Sequence, residues 1–156
     1  MIYLRNTTRK YRIAVRRVER SAQALLEAIG RPEATLSVTL IGNAAMRRLN
    51  REHRGKDRTT DVLSFPFYEP FTVPKKARPG EPELMLGDIV ISLDVAERQA
   101  AAYGAKREAE IERLLVHGVL HLLGHDHEVP RERARMVREE KRLAAAIGLP
   151  WPYALG

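Results

Sequence analysis

The chain has 156 residues, no cysteine and a formal net charge of +7. This length suits one domain that buries roughly 68 to 70% of its unfolded surface, and the lack of thiols excludes disulfides and thiolate metal sites together. Its first twenty residues carry seven Lys/Arg without an apolar leader core, and the longest apolar stretch, 114–123, is broken by His117 and His121. Neither a signal peptide nor a membrane span is expected, and a cytoplasmic location fits.

Taken in order, residues 2–6 read as a short strand. A helix is predicted over about 12–29, where Val15, Val18, Ala22, Leu25 and Ile29 form one apolar stripe closed by Gly30. Residues 35–41 alternate Leu36, Val38 and Leu40 with Ser37 and Thr39, a half-buried strand, and Asn43 is the predicted N-cap of a helix through about Arg51. Residues 61–65 form another strand ended by Pro66. Five of the nine prolines then fall in 66–82, which predicts a long irregular loop at a functional edge.

An apolar strand at 86–93 follows, interrupted by Asp88. Helices are predicted at about 94–103, 107–123 and 131–147, the second apolar nearly all round from Leu114 to Leu123 and therefore central and buried. There is no internal repeat. Residues 1–156 are expected to form a single α+β domain.

The positive charge is concentrated in two places. Residues 1–20 hold Arg5, Arg9, Lys10, Arg12, Arg16, Arg17 and Arg20 against Glu19, a local net of +6. Residues 47–58 hold Arg47, Arg48, Arg51, Arg54, Lys56 and Arg58 against Glu52 and Asp57, a local +4. Such clusters suit a phosphate backbone, although a solvated basic face has the same sequence.

Four of the five histidines lie within eleven residues, His117, His121, His125 and His127. Residues i and i+4 share one helix face, so His117 and His121 reach one ion, and a helix-ending Gly124 turns the chain so that His127 completes a three-histidine cage with an open fourth position. The spacing is that of the metzincin proteases, whose pattern places the general-base Glu where this chain has Gly118. Without a side chain there, a bulky group has room at the metal, and a peptidase would have to use Asp126 or Asp88 as base.

Two buried imidazoles need an acceptor for their other ring nitrogen. Asp88, an acid among apolar strand residues, is a candidate, and capping a neighbouring turn is the alternative. Asp126 is open to three roles: orienting a ligand, acting as base or capping a loop. Arg54 precedes Gly55 and is expected in a loop, from which its guanidinium fork reaches phosphate oxygens; an exposed loop arginine is the plainer reading. An RNA-binding assembly factor with a structural metal fits the same features.

Three segments, His53-Arg-Gly-Lys-Asp-Arg-Thr-Thr-Asp-Val-Leu-Ser-Phe-Pro-Phe67, Leu86-Gly-Asp-Ile-Val-Ile91 and His117-Gly-Val-Leu-His-Leu-Leu-Gly-His-Asp-His127, resemble the signature blocks of the YbeY endoribonucleases, bacterial rRNA maturation factors. The resemblance implies a zincin-like α+β domain with a mixed sheet of about four strands and about five helices. It implies His117, His121 and His127 as ligands of one zinc ion, with Arg54 and Asp88 as functional residues beside it. His125 stands where the family usually has Tyr. Cleavage of single-stranded RNA in 16S rRNA 3′-end maturation and ribosome quality control is implied too, with the small ribosomal subunit and the GTPase Era as partners.

Overall fold

The computed structural model describes residues 1–150, so the end of the expected domain, 151–156, lies outside the described residues. The elements run β1 (Ile2–Asn6), α1 (Val15–Ala28), β2 (Thr35–Ile41), α2 (Asn43–Arg54), β3 (Val62–Pro66), β4 (Met85–Ser92), α3 (Leu93–Tyr103), α4 (Arg107–Leu123) and α5 (Pro130–Ala146). The four strands form one sheet in the order β1-β2-β4-β3. β1 and β4 pair parallel to β2, while β3 runs antiparallel to β4 at the edge, which makes the sheet mixed as expected.

Two helix starts differ from expectation. α1 begins at Val15 because the preceding residues are tied outside the helix: the Asn6 amide donates to Tyr11 O at 2.9 Å, and the Tyr11 hydroxyl donates to Asp94 Oδ1 at 2.7 Å. Its buried face is Val18, Ser21, Ala22, Leu25 and Leu26, so Val15 is left 40% exposed. Ser21 belongs to that face because its hydroxyl donates to Glu112 Oε2 at 2.6 Å, beside the Arg17–Glu112 ion pair.

Asn43 is not the N-cap of α2 but its first residue. Asp94 caps it from another helix, its Oδ2 accepting from Asn43 N at 2.8 Å, while the Asn43 side chain accepts from Ser92 and Thr59. α2 also runs one turn further than expected, to Arg54, with Gly55 as its left-handed C-cap. Arg54 is therefore a helix-end residue and not a loop residue.

α4 lies along the sheet as the buried centre: its Leu114, Leu115, Val119, Leu120 and Leu122 share one core with Leu36, Ile89 and Ile91, and it packs against α1 and α5. A smaller apolar cluster of Ile41, Met46 and Leu63 fixes α2 on the other face, where Phe65 and Val90 adjoin it. No helix among the described residues is long and apolar enough to cross a membrane.

Candidate metal centre

His117 and His121 sit on consecutive turns of α4 with their Nε2 atoms 3.0 Å apart. α4 ends at Gly124, whose φ of 114° is open to glycine and strained for other residues. A Cβ there would also meet Pro70 Cα at 2.7 Å, so the absent side chain lets the 66–72 segment lie against the helix end. The reversed chain returns His127, and the ring centroids of His127 and its two partners are 5.5 and 5.7 Å apart. One nitrogen from each of the three rings lies within 4.8 Å of the others.

Helix packing sets the height of this cluster. A Cβ on Gly118 would meet Ile89 Cδ1 at 2.9 Å, so α4 rests directly on β4 at that point. Gly118 is buried against the sheet, which corrects the expectation that it leaves space at the metal. Above it, the Ser64 hydroxyl donates to Gly118 O at 3.3 Å and ties the edge strand to the helix.

The carboxylate beside the ligands is Glu140 on α5. Its Oε2 lies 3.3 Å from His117 Nδ1, and because a carboxylate only accepts, Nδ1 carries the proton and Nε2 is left as the metal-facing donor atom. The sequence offered no local signal for this residue, since only the packing of α5 on α4 brings it there. The structure does not bring Asp88 to the cluster. Strand side chains alternate; Ile89 faces Gly118, so Asp88 faces the opposite side, exposed and paired in register with Phe65. Its charge is therefore solvated, and the cost expected of an acid inside an apolar strand does not arise.

Asp126 acts as a loop cap: its Oδ1 accepts from His127 N at 2.7 Å. His125 is buried and packs edge-on against Phe71, outside the ligand trio. Burial first, and then the neighbouring His117 and His127, push the His121 pKa down to about 4. A neutral imidazole is the form that binds metal, so this environment favours the ligand-ready state.

The trio opens into a cavity of about 580 Å³ between the helix end and edge strand β3. Arg54 lines it and forms no ion pair among the described residues. Several other members of the two basic clusters are committed: Lys10 to Asp94, Arg17 to Glu112, and Arg47 and Arg51 to Asp57. Asp61 is a further rim residue that sequence reasoning missed. It accepts from Gln99 at 3.4 Å and pairs with Arg113 at 3.9 Å, and both of these partners also bind the fully buried Glu110.

The family model described as Endoribonuclease YbeY matches residues 3–148. The chain belongs to that family. Relatives bearing the same name include one from Anaeromyxobacter sp. (strain Fw109-5), 51% identical over 138 residues that cover 88% of this chain and 67% of that protein. Another, from Pelotomaculum thermopropionicum, is 46% identical over 131 residues, covering 83% of this chain and 84% of that protein. The match spans only 42% of the Myxococcus xanthus member and 66% of the Anaeromyxobacter dehalogenans member. The solution structure of TM1509 from Thermotoga maritima superposes with a TM-score of 0.64 over 99% of this chain and 95% of its own at 24% identity, a likeness of fold. The family's members are named as endoribonucleases, hydrolases that act on RNA.

Proposed function

We propose that the protein is a zinc-dependent endoribonuclease that cleaves single-stranded RNA in 16S rRNA 3′-end maturation and ribosome quality control. The observation that carries this reading is the convergence of His117, His121 and His127 in a cavity whose rim holds Arg54 without a carboxylate partner. Three imidazoles and no thiolate make a donor set that suits zinc, and the Glu140 acceptor behind His117 is the outer support such ligands need. Work in the cytoplasm on the small ribosomal subunit, together with the GTPase Era, is part of the proposal and rests on the family resemblance.

When bound, the zinc supplies a Lewis acid for phosphoryl oxygen and lowers the pKa of water towards about 7. The chain's own residues do the rest. Arg54 binds two phosphate oxygens through its guanidinium fork and offsets charge that grows in the transition state. Glu140 holds the His117 ring in one tautomer, and Asp126 fixes the turn that presents His127. Asp88, on the far side of the sheet, is given no step.

The test separates cleavage from binding in wild type, His117→Ala and Arg54→Ala. His117→Ala should lose zinc and cleavage together. Arg54→Ala should keep zinc and lose roughly 10²- to 10³-fold in cleavage rate, the usual loss when one transition-state donor is removed. If both variants cleave single-stranded RNA like wild type, the proposal is wrong.

A further inference from the structure

Phe71 is the one non-glycine residue among those described with positive φ, at 59°. A bulky side chain is strained in that region, and such strain persists only where the surroundings over-determine it. They do so here. Phe71 N donates to Leu123 O at 2.8 Å, and the bare Gly124 lets the Pro70–Phe71 backbone lie against the end of α4. The fold thus straps the loop onto the same helix terminus that turns His127 to the metal.

The strain does not serve burial, because Phe71 remains 54% exposed. Its ring is fixed by neighbours instead: the Arg135 guanidinium lies 4.5 Å from the ring centroid, and His125 meets it edge-on with centroids 5.1 Å apart. His125, which the ring touches, and Pro70, its chain neighbour, both line the cavity of the histidine trio. Arg131, Arg135 and Arg138 follow at i, i+4 and i+7 along the exposed face of α5, and none forms an ion pair among the described residues.

We propose that Phe71, braced by Arg135, is a stacking platform for the nucleobase of a nucleotide adjacent to the scissile phosphate, and that the α5 arginines hold the strand's phosphates beyond it. A rigid aromatic ring next to unpaired cations is what recognition of an unpaired base requires: the π-face accepts any base, and the charges follow the backbone. A duplex keeps its bases stacked on one another and gives the ring nothing to bind, so the platform also selects single strands. This inference rests on the RNA-cleaving reading of the cavity and adds to it the place of a flanking base.

The experiment measures binding of zinc-loaded protein to a short 2′-O-methylated single-stranded RNA in which one abasic nucleotide is moved stepwise along the strand. For wild type, one position should weaken binding by about five- to a hundredfold, the range for loss of one base stacked on an aromatic. Phe71→Ala should weaken binding to the intact strand by a similar factor and should be insensitive to the abasic group at that position. Phe71→Leu should behave like Phe71→Ala, and Phe71→Trp should bind like wild type. In cleavage assays, Phe71→Ala should raise KM more than it lowers kcat.

Full zinc stoichiometry in the variants shows that the fold is retained, and the abasic series on wild type needs no variant. If Phe71→Ala binds and cleaves intact RNA like wild type, or if the abasic penalties are the same in both proteins, the platform is overturned while the RNA reading stands. Wild type that neither binds nor cleaves single-stranded RNA overturns both.

Discussion

Glu140 accepts the Nδ1 proton of His117 at 3.3 Å, and the opposite nitrogen of that ring lies 3.0 Å from His121 Nε2. The contact joins α5 to the histidine trio and fixes which nitrogen of the His117 ring is left without a proton. Removing the acceptor leaves the ring free to rotate and to change tautomer. Glu140→Ala is therefore expected to weaken zinc binding by about 10- to 100-fold, and Glu140→Gln by less, because its amide oxygen still accepts. Titration against a competing chelator measures this directly, and an affinity equal to wild type in Glu140→Ala would remove the residue from the site.

The histidine trio was legible because helix periodicity is local. His117 and His121 are one turn apart whatever the rest of the chain does, and Gly124 marks the turn that His127 needs. Glu140 was not legible, because its place depends on how α5 packs across α4. Asp88 failed for the opposite reason: its neighbours in sequence are apolar, yet in a strand they face the other side, and Asp88 itself is exposed. The four strands and five helices were readable from periodicity, while two helix starts shifted where Asp94, distant in sequence, tethers Tyr11 ahead of α1 and accepts from the first N–H of α2.

Gly118 illustrates a correct residue with the wrong reason. A side chain at this position would face Ile89, so Gly118→Ala places a methyl 2.9 Å from Ile89 Cδ1. Over-packing of this kind should cost about 1 to 3 kcal/mol, read as a lower urea midpoint. Combining it with Ile89→Val, which deletes Cδ1, should restore part of the loss. Additive losses in the double variant would show that the two residues are not in conflict.

Gly124→Ala meets two obstacles at once, a φ of 114° and the backbone of Pro70 at 2.7 Å. Destabilisation on the order of 1 to 3 kcal/mol is expected from the backbone alone. Because the same glycine seats the Phe71 loop and reverses the chain towards His127, zinc affinity should fall as well. A variant with wild-type melting temperature and zinc affinity would contradict this account of the turn.

The depressed pKa of His121 makes the metal-free protein sensitive to mild acid. The imidazole titrates at about 6.5 in the unfolded chain and at about 4 in the fold, where burial and the flanking histidines oppose its charge. Between these values the unfolded chain binds the extra proton, so stability is full above about pH 6.5 and declines as pH falls towards about 4. Partial solvent access keeps the slope below the ~1.4 kcal/mol per pH unit of one fully shielded proton. Urea midpoints of metal-free wild type and His121→Ala, compared from neutral pH downwards, isolate the effect: wild type should lose stability faster through this window, and parallel curves would assign the acid sensitivity elsewhere.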